Sequence, residues 1–239
     1  KVVLFGGENF GSVFFDDTWE WDGTFWKRLN PVDKPSMRSG HAMVNNIYRG
    51  NILLYGGYYY YEYDDFPTIN KETWEWDGEN WNRKYVSASE LRYHSMTYDS
   101  DRMNVVLFGG GYNLGNNETW EFYTSWAKKN PISKPSTRWK HTITYDSVRK
   151  KTILFGGNYS STSYDETWEW DENNWTKLNP LTKPSARYGH SMVFDCLRGR
   201  AFLFGGSSGS AETWEWNGSN WIKLNPVKYP SGRFGHAMV

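Results

Sequence analysis

An apolar strand closed by Gly-Gly, a later Thr-Trp-Glu strand, and a histidine at fixed distance upstream recur along this chain of 239 residues. The recurrence predicts an all-β fold, a five-bladed β-propeller of four-stranded antiparallel blades, occupying residues 1–239 as one domain. The pairs are Gly6-Gly7, Gly56-Gly57, Gly109-Gly110, Gly156-Gly157 and Gly205-Gly206, and the later strands begin at Thr18, Thr73, Thr119, Thr167 and Thr213. His41 to Gly56, His94 to Gly109, His141 to Gly156 and His190 to Gly205 each span 15 residues, which leaves no room for insertion in a rigid unit.

Within one unit the elements follow from local chemistry. Tyr145 to Phe155 holds two apolar runs about a polar turn, the pattern of a strand pair. Gly156-Gly157 releases the backbone from β geometry and ends the second strand. Thr167-Trp168-Glu169-Trp170, rich in β-branched and aromatic residues, is the third strand. Asp22-Gly23, Asp77-Gly78 and Asn217-Gly218 then signal hairpins into a fourth strand such as Trp175 to Leu178. Asn30-Pro31, Asn130-Pro131, Asn179-Pro180 and Asn225-Pro226 stop it, because proline cannot continue a ladder.

The chain opens on a second strand, Val2-Val3-Leu4-Phe5, and closes on a first-strand pattern, Gly235 to Val239. The C-terminal strand is therefore expected to complete the N-terminal blade and close the ring.

Pro35-Ser36-Met37-Arg38, Gly40-His41 and Glu166-Thr167-Trp168-Glu169-Trp170-Asp171 resemble the bacterial type of kelch repeat over essentially the whole chain. The resemblance implies a propeller whose members serve as protein-interaction modules, glycan-associated domains and, in some cases, enzymes. Six or seven blades are more usual there, so five is a departure.

Composition narrows the function classes. Lys plus Arg equals Asp plus Glu at 27 each, so no global field favours nucleic acid, and none is expected as a partner. No apolar run approaches the ~18 residues of a membrane span, so no membrane insertion is expected. Cys196 is the single cysteine, which rules out an intrachain disulfide and leaves the compartment unread by redox chemistry. An extracellular or cell-surface setting is favoured, and a monomer is expected.

Features common to all blades are assigned to the fold. Fourteen of 15 Trp occupy repeat positions and are expected to pack blade on blade. One histidine per blade at identical register cannot converge on a metal, so neither metal nor cofactor is expected. The repeated acids Asp17, Glu72, Glu118, Glu166 and Glu212 are expected to pair with arginine or backbone amides, and no catalytic residue is assigned. Arg38, Arg138, Arg187 and Arg233, each three residues before a histidine, form either an anion-binding ring or partners for those acids.

Binding is sought in departures from the repeat. The segment after each Gly pair varies from five residues (207–211) to fourteen (58–71). The longest carries Tyr58, Tyr59, Tyr60, Tyr61, Tyr63, Asp64 and Asp65, side chains suited to recognition. Leu91 breaks the arginine column, with Arg92-Tyr93 following it. Trp139 stands beside Arg138 where other copies have Ser39, Tyr188 or Phe234, and Lys140 replaces the usual glycine. Interblade connections and variable loops share one face by strand topology. These residues are thus expected to converge on a surface that binds a protein segment or a glycan. The alternatives are a carbohydrate-active enzyme using Glu62, Asp64 or Asp65, and a purely structural module of a larger protein.

Overall fold

The computed structural model describes residues 1–9, 13–61, 65–111, 115–207 and 210–239, and among these there is no α-helix. Five antiparallel sheets stand around a common axis as the blades of a β-propeller. Blade one is β1 (Val2–Phe5), β2 (Thr18–Trp21) and β3 (Trp26–Leu29). Blade two is β4 (Ala42–Asn46), β5 (Asn51–Tyr55), a small hairpin of β6 (Tyr58–Tyr59) and β7 (Thr68–Ile69), then β8 (Thr73–Trp76) and β9 (Trp81–Lys84). Blade three is β10 (Ser95–Asp99), β11 (Asn104–Phe108), β12 (Thr119–Phe122) and β13 (Trp126–Lys129). Blade four is β14 (Thr142–Asp146), β15 (Lys151–Phe155), the hairpin β16 (Asn158–Tyr159) and β17 (Thr162–Ser163), then β18 (Thr167–Trp170) and β19 (Trp175–Leu178). Blade five is β20 (Ser191–Asp195), β21 (Arg200–Phe204), β22 (Thr213–Trp216) and β23 (Trp221–Leu224).

The expected register holds within the blades. Leu54 faces Trp74, Leu154 faces Trp168 and Leu203 faces Trp214 across the second and third strands. The tryptophans fill the wedges between sheets, and Trp81, Trp170, Trp175, Trp216 and Trp221 are among the largest fully buried side chains.

One interlock repeats at successive junctions. The first tryptophan of a fourth strand donates its indole N–H to the threonine opening the third strand of the preceding blade. The pairs are Trp81–Thr18 (3.0 Å), Trp126–Thr73 (2.9 Å), Trp175–Thr119 (2.8 Å) and Trp221–Thr167 (2.9 Å). Phe5, Phe108 and Phe155, each before a Gly pair, are held edge-on between that tryptophan and the next blade's histidine. Phe108, for example, lies 5.0 Å from Trp175 and 5.4 Å from His141 by ring centroids. Such contacts add about 0.5–1.5 kcal/mol each beyond the area they bury.

The last junction differs from the others. Trp26, the blade-one counterpart of Trp175, is 45% exposed; it packs against Trp21 as Trp175 does against Trp170, but makes no interblade indole bond among the described residues. Blade one is a sheet of three strands, and residues 235–239, expected as its fourth, form no strand. The terminal segment is nonetheless docked on blade five, with the Gly206 amide donating to the Arg233 carbonyl and His236 against Phe204. Ala237 to Val239 then form one wall of a cleft of about 860 Å³, with β1 and β4 as other walls. Among the described residues, the backbone bonds of the terminal segment run to Gly206 and Gly189 of blade five and its connection, not to β1.

Candidate ligand-binding face at the axis

Immediately before each histidine, Gly40, Tyr93, Lys140, Gly189 and Gly235 occupy equivalent positions. Their φ angles are 61°, 56°, 52°, 65° and 70°, all left-handed. The Tyr93 amide donates to the Gly40 carbonyl (2.7 Å), Lys140 to Tyr93 (2.9 Å), Gly189 to Lys140 (2.8 Å) and Gly235 to Gly189 (2.7 Å). Backbones of successive blades approach this closely only near the axis, so these residues trace an arc around it. Left-handed backbone costs a side-chain-bearing residue about 1–2 kcal/mol, which glycine avoids. Tyr93 and Lys140 bear that strain where the other three blades use glycine.

Their side chains enter a polar aromatic cluster. The Tyr58 hydroxyl donates to the Glu8 carboxylate (3.0 and 3.1 Å) and lies 2.7 Å from the Tyr93 hydroxyl. Tyr58 has one proton and gives it to Glu8, so Tyr93 donates to Tyr58. Burial and the Glu8 charge push the Tyr58 phenol upward. The Arg92 guanidinium lies 4.7 Å from the Tyr58 ring centroid and 5.6 Å from that of Tyr93. The Lys140 ammonium lies 4.5 Å from the Tyr93 centroid and 5.9 Å from that of Tyr188, within cation–π range. Burial and then the nearby Arg92 charge lower the Lys140 pKa, with Glu8 opposing them.

Connections and loops share this face. Ser39 forms a bridge with Tyr58, and Trp139 forms one with Asn158. Trp139 also packs edge-on against Tyr159 at 5.6 Å. Of the tyrosine run, Tyr58 and Tyr59 are buried in β6 while Tyr60 and Tyr61 are exposed, and Tyr59 donates to Tyr61 (3.0 Å). Asp65 is exposed, and Glu62, Tyr63 and Asp64 lie outside the described residues. Phe234 is exposed and Tyr188 half-buried.

The arginine column is sequestered rather than presented. Arg38 and Arg138 are 0% exposed and Arg187 2%, and each donates to a blade carboxylate at 2.6 Å: Glu72, Glu166 and Glu212. Each also donates to the carbonyl of the first glycine of its pair, Gly56, Gly156 and Gly205. These three guanidinium groups therefore have no surface for a ligand. Arg233 alone of the column is exposed, with Ser231 as its hydrogen-bond partner among the described residues. Blade three, with buried Leu91, satisfies Glu118 through Ser89 (2.6 Å), Asn116 (3.1 Å) and Lys128.

His94, His141 and His190 are buried framework groups, and His41 and His236 are half-buried. His141 Nε2 lies 3.1 Å from the Phe108 carbonyl, which requires the proton on Nε2. Burial lowers His41 to about 4 and both His94 and His190 to about 3, so all three are neutral at pH 7. Among the described residues no group of His, Cys, Asp and Glu is arranged to hold a metal ion.

Two members of the cluster come from unlike sequence signals. Lys140 stands out as a replacement in a glycine column. Glu8 carries no signal, because its partner Tyr58 lies 50 residues away in the next blade. No protein-family model matches the chain, and no curated protein resembles it.

Proposed function

We propose that this chain is a non-enzymatic binding propeller of kelch type, recognising a glycan or a protein segment on the axial face. The observation that carries the reading is the placement of side chains at glycine positions. Tyr93 and Lys140 accept left-handed strain where glycine would serve the fold, and both point their functional groups into one cluster with Tyr58 and Arg92. Strain kept at a surface of this kind is a mark of function rather than stability. The exposed rings of Tyr60, Tyr61 and Phe234 extend the face with stacking area. The kelch-like repeat supplies the frame, and the exceptions to it supply the ligand surface.

The test is a glycan and peptide array probed with the folded protein, followed by titration of any hit against Tyr93→Gly and Trp139→Ala. The reading expects a specific hit weakened about tenfold or more by each change. A hit that both variants bind unchanged would place recognition elsewhere on the molecule.

A further inference from the structure

We propose that the axial cluster binds a carboxylate-bearing sugar unit of a glycan, with the Lys140 ammonium receiving the carboxylate. The proposal rests on the binding-module reading above and names its ligand chemistry.

Lys140 is half-buried, yet among the described residues its ammonium has neither an ion pair nor a hydrogen-bond acceptor. Its described neighbours are the faces of Tyr93 and Tyr188. Glu8 acts on this cation through its charge and not through a contact ion pair, so a carboxylate delivered directly to the ammonium would offset the cost of its burial. The lysine is also held by a left-handed backbone that glycine occupies without strain in three other blades.

The cluster already accommodates one carboxylate. Glu8 sits on the Tyr58–Tyr93 hydroxyl chain, so donors here are aimed at carboxylate oxygens. The Lys140 ammonium brings one positive charge, which matches a single carboxylate. A run of acidic peptide would bring several charges to a chain whose formal net charge is zero. Tyr188 beside the ammonium is half-buried, and Phe234, near Gly189, is 66% exposed. Such rings suit the C–H face of a pyranose, which would lie against them while its carboxylate reaches Lys140.

The experiment uses a panel of uronate-containing oligosaccharides, each paired with its carboxyl-reduced counterpart, and acidic and neutral peptides alongside. Binding is measured by calorimetry for the parent protein, Lys140→Gly and Lys140→Arg. The expected result is that at least one uronate oligosaccharide binds, with affinity lowered about tenfold or more by carboxyl reduction and by Lys140→Gly, and largely kept by Lys140→Arg. Because glycine is the residue at this place in other blades, Lys140→Gly should unfold at no lower temperature than the parent, which separates lost binding from lost fold. Equal binding of the acidic and reduced sugars, or binding of a neutral sugar indifferent to Lys140→Gly, overturns the proposal and leaves the binding-module reading standing. A preference for acidic peptides over every sugar also overturns it. No ligand among sugars and peptides counts against both.

Discussion

The indole N–H of Trp175 in blade four donates to the Thr119 hydroxyl of blade three across 2.8 Å, in the buried wedge between the sheets. Thr119→Val preserves shape and removes the acceptor, leaving a buried indole N–H without a partner. Denaturant unfolding should show a loss of about 1–3 kcal/mol. Thr213→Val is the internal control. Thr213 is half-buried and receives no indole bond among the described residues, so its change should stay within about 0.5 kcal/mol. Equal losses at both positions would show that the interlock is not what the threonine contributes.

Arg138 makes four hydrogen bonds from a fully buried position: to Glu166, to the Gly156 carbonyl, and to the carbonyl and hydroxyl of Ser136. Arg138→Leu copies the residue that blade three carries as Leu91. Blade three has Ser89 and Asn116 to satisfy its carboxylate, and blade four would keep Lys177 and Trp168. Removing one partner of a buried pair costs about 3–5 kcal/mol. The expected outcome is a loss of that size in equilibrium unfolding. A change below about 1 kcal/mol would mean that the pair contributes only as an exposed salt bridge does.

Acid should destabilise the fold in two stages. Burial lowers His41, His94 and His190 to about 4, 3 and 3 from an ordinary value of 6.5, and lowers His141 as well. The unfolded chain binds these protons first, so stability is fully present above 6.5 and falls as pH drops toward the folded values. By about pH 5 the loss is ~2 kcal/mol per histidine. The carboxylates act lower. Burial opposes ionisation of Glu118, Glu166 and Glu212, but hydrogen bonds from lysine, arginine, serine and indole outweigh it and hold each at about 2. Their contribution is present above about 4.5 and is lost as pH falls toward 2. Unfolding free energy measured from pH 7 downward should therefore begin to fall below 6.5, and His190→Gln should flatten the first stage. A curve level down to about pH 4.5 would contradict the histidine assignment.

The frame was legible because its determinants are local and repeated. Leu154 and Trp168 announce adjacent strands by composition, and Gly156-Gly157 marks where one of them ends. Histidine spacing revealed the rigid unit because the strand pair between His141 and Gly156 admits no insertion. What could not be read was which residues of different blades meet. Glu8 reaches Tyr58, and Trp26 stays exposed while Trp175 is sealed in, through the geometry of the ring rather than through any local pattern. The arginine column was ambiguous for a related reason. Spacing left Arg138 either in an anion-binding ring or as a partner for a blade carboxylate, and only the fold shows its guanidinium bonded to Glu166.

Lys140 separates the demands of fold and site most directly. At φ 52° any residue with a Cβ is strained, and glycine is not. Lys140→Ala removes the ammonium and keeps the strain, whereas Lys140→Gly removes both. Glycine would ordinarily be the less stable choice by about 0.5–1 kcal/mol, because its unfolded chain has more freedom to lose. Here the order should reverse, with Lys140→Gly more stable than Lys140→Ala by about 1 kcal/mol in denaturant unfolding. The same comparison at Tyr93, at φ 56°, should give the same sign and about the same size. That ring holds a hydroxyl bond to Tyr58 and lies beneath Arg92 and Lys140, contacts that both truncations forfeit alike, so only the backbone strain separates them. If alanine proved the more stable at position 140, the left-handed backbone would carry no strain, and the case for a ligand-selected lysine there would lose its energetic basis.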